Sequence, residues 1–113
     1  MLTVEKLDRY GADTKEGISR CVNLTDFYLE LVNSSIDDSQ IEMLEKSLSQ
    51  GDLDKAFECA YGLKVVYANL ALTPILKPVS EMTELLRAKT QMDYSQLMKE
   101  IIAAYEELKS LAE

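Results

Sequence analysis

The chain has 113 residues, 47% apolar and 28% charged, which suits one globular domain and is too short for two independent cores; four Gly and two Pro are too few for a turn-rich β protein. The net charge of −8 has the wrong sign for a nucleic-acid surface or an anionic membrane, so a protein is the expected partner. There is no histidine, which excludes imidazole metal sites, Ser-His-Asp triads and Cys-His dyads.

Thr3–Tyr10 reads as a short helix carrying Leu2, Val4 and Leu7, ended by Gly11, which tolerates a left-handed cap. Asp13 followed by Glu16 resembles a capping box and opens a second short helix, with Ile18, Cys21 and Val22 pointing inward. Both are too short to be stable alone and must pack on something larger. Leu24, Phe27, Tyr28, Leu31 and Val32 then fall at the spacing of a core-facing helical stripe. A second stripe, Ile41, Leu44 and Leu48, follows a polar run from Asn33 to Ser39 that could be a loop. Because Phe27, Ile41 and Leu48 share one heptad phase, one long helix over residues 24–50, with room for a bend, is preferred.

Gly51 stops that helix and Asp52 caps the next. Leu53, Ala56, Phe57, Ala60, Leu63, Tyr67 and Leu70 form its seam, where the Tyr67 hydroxyl needs a partner. Thr73-Pro74 marks a cap with Pro at the first helical position, and Ile75, Val79, Met82 and Leu86 follow. Pro78, one turn in, predicts a kink or a later start. Asp93 caps a last helix in which Leu97, Ile101, Ala104, Leu108 and Leu111 repeat. The expected fold is all-α: an up-down-up-down four-helix bundle, with residues 3–22 packed across one end, as a single domain over 1–113. With no Trp and few aromatics, its core is expected to be mainly aliphatic.

Cys21 and Cys59 stand alone and far apart; a disulfide stays open, but two reduced thiols in a cytoplasmic protein is the preferred reading. No apolar run reaches the about 18 residues that span a bilayer. Carboxylate-only chemistry is formally open, yet Asp and Glu are spread as a solvated face would be. No metal or cofactor is expected.

The segment Ala60-Tyr61-Gly62-Leu63-Lys64-Val65-Val66-Tyr67-Ala68-Asn69-Leu70-Ala71 resembles the signature of the histidine-containing phosphotransfer family, Ala-His-any-Leu-Lys-Gly, three residues, then Asn-Leu-Gly. Ala60, Leu63, Lys64, Asn69 and Leu70 match in register, and with the helix order the resemblance extends over about residues 20–112. It implies a helical bundle that ferries phosphate between receiver-domain aspartates on an exposed imidazole, with the Lys one turn away helping to hold the phosphoryl oxygens.

The departures fall on that site. Tyr61 stands at the histidine position, and Val65 and Ala71 replace two glycines. On a helical projection Tyr61 lies about 100° from the centre of the seam. A phenol is mostly protonated at neutral pH, no histidine can activate it, and its phosphate ester would be a poor donor. Catalysis is therefore not expected. Glu58, Tyr61, Lys64, Val65 and Ala68 are the expected docking face for a receiver or related signalling domain. The bland readings are a solvated Lys64 whose stem covers apolar neighbours, a structural Asn69 hydrogen-bonded to backbone or a neighbouring helix, and a helical module that buries Tyr61 and Val65 in a homodimer.

Overall fold

The computed structural model describes residues 1–113, which form seven helices and no strand. Local chemistry sets most of the boundaries. Thr3 caps α1 (Val4–Tyr10) through Lys6 N, and Gly11 closes it with a left-handed φ of 110°. Asp13 caps α2 (Thr14–Arg20) through Glu16 N. Gly51, at φ 70°, ends the helix before α5 (Leu53–Asn69), and Asp52 caps α5 through Lys55 N at 3.1 Å. Each carboxylate or hydroxyl takes one of the N–H groups that a helix start leaves unpaired.

The long helix expected over residues 24–50 is two helices, α3 (Thr25–Ser34) and α4 (Asp38–Ser49). Asp37 is the reason. It sits in extended backbone and accepts hydrogen bonds from Ser39 N at 3.0 Å and Ser39 Oγ at 2.6 Å, starting a new helix rather than continuing the old one. Ser35 Oγ meanwhile bonds the Val32 carbonyl, so short polar side chains compete with the helical ladder on both sides of the break. The stripe on α3 is also turned from its expected direction. Tyr28 and Val32 enter the core, while Leu24 and Phe27 are exposed. Val22, expected inward, is exposed with a left-handed φ of 51°.

Two starts differ by one residue. Thr73 already belongs to α6 (Thr73–Arg87), which has no side-chain cap, and Pro78 lies inside that helix rather than marking its start. Tyr94 occupies the N-cap of α7 (Ser95–Leu111), although Asp93 still accepts from Ser95 N at 2.8 Å.

Helices α4, α5, α6 and α7 pack in chain order, each on the next. Asp38, opening α4, reaches α7, accepting from Tyr105 Oη at 2.6 Å and Lys109 Nζ at 2.9 Å. Those donors, the Tyr105 hydroxyl first, hold its carboxyl below the ordinary range. Helix α1 lies against α7 and α2, and α2 against α3. The N-terminal pair is tied to the α5–α6 connection by Asp13 N to Ala71 O at 2.9 Å and to the last turn of α5 by Arg20 Nη1 to Ala68 O at 2.6 Å.

The core is not purely aliphatic. Its largest fully buried side chains are Tyr28, Tyr67 and Tyr105, and a ring of this size removes about 150–250 Å² from water, more than any aliphatic neighbour. Tyr10 and Tyr94 are buried too, so of six tyrosines Tyr61 alone is exposed. Four of the buried hydroxyls have protein acceptors: Ala104 O for Tyr10, Leu70 O for Tyr28, Thr90 O for Tyr94 and Asp38 for Tyr105. The Tyr67 hydroxyl has none. Burial pushes Tyr28 and Tyr67 up to about 12, since desolvation penalises the phenolate.

Candidate functional site

Helix α5 holds every residue of the matched segment except its last two, Leu70 and Ala71, and its two sides behave differently. Ala56, Ala60, Leu63 and Tyr67 are buried, as the seam spacing requires. Phe57, expected in the seam, is only half-buried, because it leans toward the outer side and stacks on Tyr61 one turn on. Their ring centroids are 5.8 Å apart and the planes nearly parallel, at 5°.

Tyr61 is 47% exposed and Val65 44%. Glu58 is exposed, while Lys64 and Ala68 are half-exposed at the edge. The five side chains thus occupy one outward sector of α5. Two residues of α6 that the sequence pattern did not single out complete it. The Arg87 guanidinium carbon stands 5.0 Å from the Phe57 centroid and 5.8 Å from that of Tyr61, within reach of a cation–π contact with both rings. Glu84 receives Arg87 Nε at 3.3 Å and Lys64 Nζ at 3.3 Å. Its carboxyl is held below the ordinary range by these partners, Arg87 first and Lys64 second. They were legible only as polar residues on an exposed face; nothing in a single helix pattern says which face of α6 meets α5.

This arrangement constrains the chemistry. The Lys64 ammonium is drawn sideways to α6 and is not directed at the Tyr61 hydroxyl. Exposed ion pairs of this kind contribute roughly 0–1 kcal/mol, so the pairing orients side chains more than it stabilises the fold. Asn69 is exposed and its side chain finds no hydrogen-bond partner, contrary to the structural role expected for it. Ala71 sits at φ 54°, in the left-handed region just past the end of α5. Glycine adopts that backbone at less cost than alanine.

No three Cys, Asp or Glu side chains converge as a metal site requires, and Cys21 and Cys59 are free thiols. No helix is long and apolar enough to cross a membrane. Compared with family models, curated proteins and solved structures, the chain matches none.

Proposed function

We propose that the chain is a pseudo-phosphotransfer domain of the two-component phosphorelay type, which binds a receiver or related signalling domain through the outer face of α5 and carries no phosphate. One observation carries this reading. Tyr61 falls in register with the histidine of the resembled signature, and it is the one exposed tyrosine, in mid-helix and beside exposed Val65. Three further signature positions are consistent with it: Ala60, Leu63 and Leu70 are buried where the resemblance places core residues.

In this reading α4 to α7 form an up-down-up-down four-helix bundle, supported by their packing order and by the link from Asp38 to Tyr105 and Lys109. The domain acts in the cytoplasm as a decoy, scaffold or tether, not as an enzyme. With no imidazole in the chain and Lys64 engaged by Glu84, neither the nucleophile nor the phosphoryl clamp of the resembled family is in place.

Binding to a panel of purified receiver domains tests the reading. Tyr61→Phe should leave the affinity of a receiver complex unchanged, whereas Tyr61→Asp should lower it about tenfold, the loss of one apolar anchor. A complex indifferent to Tyr61→Asp would place docking elsewhere. Incubation with a radiolabelled phospho-receiver should leave no label on this chain; stable label would overturn the pseudo-phosphotransfer assignment. Sedimentation separates the homodimer reading, which requires a stable dimer at micromolar concentration despite −8 charges on each copy.

A further inference from the structure

Helices α4 and α7 are joined directly at one end, where Asp38 meets Tyr105 and Lys109. Toward the other end they border a cleft of about 350 Å³. Glu45 and Leu48 line it from α4, and Met98 from the first turn of α7. Leu53 at the start of α5 and Met92 in the α6–α7 connection complete its apolar lining. The volume falls within the range of small-molecule sites, about 300–1,000 Å³.

The apolar lining is part core and part open surface. Met98 belongs to the core, and Leu48 and Leu53 are half-buried against it. Met92 is 46% exposed in its loop. A methionine left open to water beside three side chains anchored in the core provides an adaptable apolar contact.

Only two charged residues line the cleft, and both are carboxylates, Glu45 and Asp93. Neither forms an ion pair. Ser95 holds Asp93 in place, donating from its backbone N at 2.8 Å and from Oγ. Both bonds go to Oδ1, so starting α7 occupies one oxygen and leaves Oδ2 without a donor. The cations nearby in sequence are turned elsewhere. Lys46 lines a separate depression with Ser39 and Lys55, and Lys89 pairs with Asp54 at 3.6 Å. Lys99 acts on Asp93 only from a distance.

We infer that this cleft binds a small amphipathic amine, a protonated ammonium group carrying a compact apolar body. The ammonium is drawn to Glu45 and the open Oδ2 of Asp93, while the apolar body rests on Leu48, Leu53, Met92 and Met98. The net charge of −8 favours entry of a cation over an anion. The cleft shares no residue with the Tyr61 face, so this inference does not rest on receiver binding.

The probe is phenethylamine, compared with neutral phenethyl alcohol, anionic hydrocinnamate, and ethylamine, a cation without the ring. In an NMR titration phenethylamine should shift the methyl resonances of Leu48, Leu53, Met92 and Met98 saturably, and its affinity should fall as salt rises. The other three compounds should each bind at least about tenfold more weakly. The double variant Glu45→Gln/Asp93→Asn should lower phenethylamine affinity about tenfold and leave the alcohol unaffected. Glu45 is exposed and Asn caps a helix as well as Asp does, so the fold is retained, which circular dichroism verifies. Met92→Gln should weaken the amine about threefold through lost apolar contact, whereas Tyr61→Asp should change nothing. Shifts that scatter over the surface without saturating, alcohol binding as tight as that of the amine, or full binding by the double variant would each overturn the inference. So would Met92 shifts that follow protein concentration with no amine present, which would assign the cleft to a second copy.

Discussion

Two glycines, both in helices, have opposite surroundings. A β-carbon on Gly17 would collide with the ring of Tyr28 at Cε1 and lie 2.8 Å from the Leu70 carbonyl oxygen. On Gly62 it would touch nothing. At Gly17 the fold dictates the residue: α2 can approach the Tyr28–Leu70 junction only where no side chain intervenes. At Gly62 the fold dictates nothing, and a residue with poor helix propensity persists on the outer strip of α5. Intramolecular packing accounts for the glycine in one region of this molecule and not in the other.

Gly17→Ala is the hardest test of that contrast. The methyl group would force Tyr28 from its pocket and strain its 3.0 Å hydrogen bond to Leu70 O, and overpacking of this kind costs typically 1–3 kcal/mol with about 1 more for the hydrogen bond. Offset by the better propensity of Ala, the net loss should be about 2–3 kcal/mol, read as a lower urea midpoint with unchanged slope. An unaltered midpoint would show that α2 is less tightly seated than the contacts imply.

The buried tyrosines sharpen the comparison, because only one lacks a partner. Tyr28→Phe leaves the Leu70 carbonyl without its donor and should cost about 1–2 kcal/mol. Tyr67→Phe removes a hydroxyl that has no acceptor and should instead raise stability by about 1 kcal/mol. Both phenols ionise at about 12 in the folded chain and near 10 when exposed. The native state therefore holds the extra protons between those values, and stability is complete below pH 10 and falls as pH rises through 12. Each Phe variant should make that alkaline decline shallower; an unchanged decline would mean that other groups drive it.

How far these features could be read in advance depended on the range of the interaction. Gly11, Asp13, Gly51 and Asp52 act on their own helix ends, and their roles follow from residue type and spacing. The break at Ser35–Asp37 did not follow, because a shared heptad phase of Phe27, Ile41 and Leu48 outweighed the capping potential of Asp37. Separately, the i, i+3, i+4 and i+7 spacing placed Leu24 and Phe27 on the inner side of α3, whereas only Tyr28 and Val32 of that stripe are fully buried. The core is mainly aliphatic, as the composition requires, but its bulkiest residues are Tyr28, Tyr67 and Tyr105. At the candidate site, the outward sector of α5 was legible from its helical projection. Arg87 and Glu84 were not, since their place depends on how α6 is rotated against α5.

The smallest expected effects concern glycine's absence and presence at the end and middle of α5. Ala71 holds a left-handed φ of 54°, where residues other than Gly and Asn are strained by roughly 1 kcal/mol. Ala71→Gly should recover about that amount, less the entropy glycine adds to the unfolded chain. Gly62→Ala is the converse change. In ordinary helical backbone with open space around it, a methyl group should stabilise α5 by about 0.5–1 kcal/mol, measurable as a higher thermal midpoint. A gain would show that the fold places no packing constraint on position 62. A loss would mean that Gly62 is confined after all by the fold, and the outer strip of α5 would then be explained in the same way as the junction around Gly17.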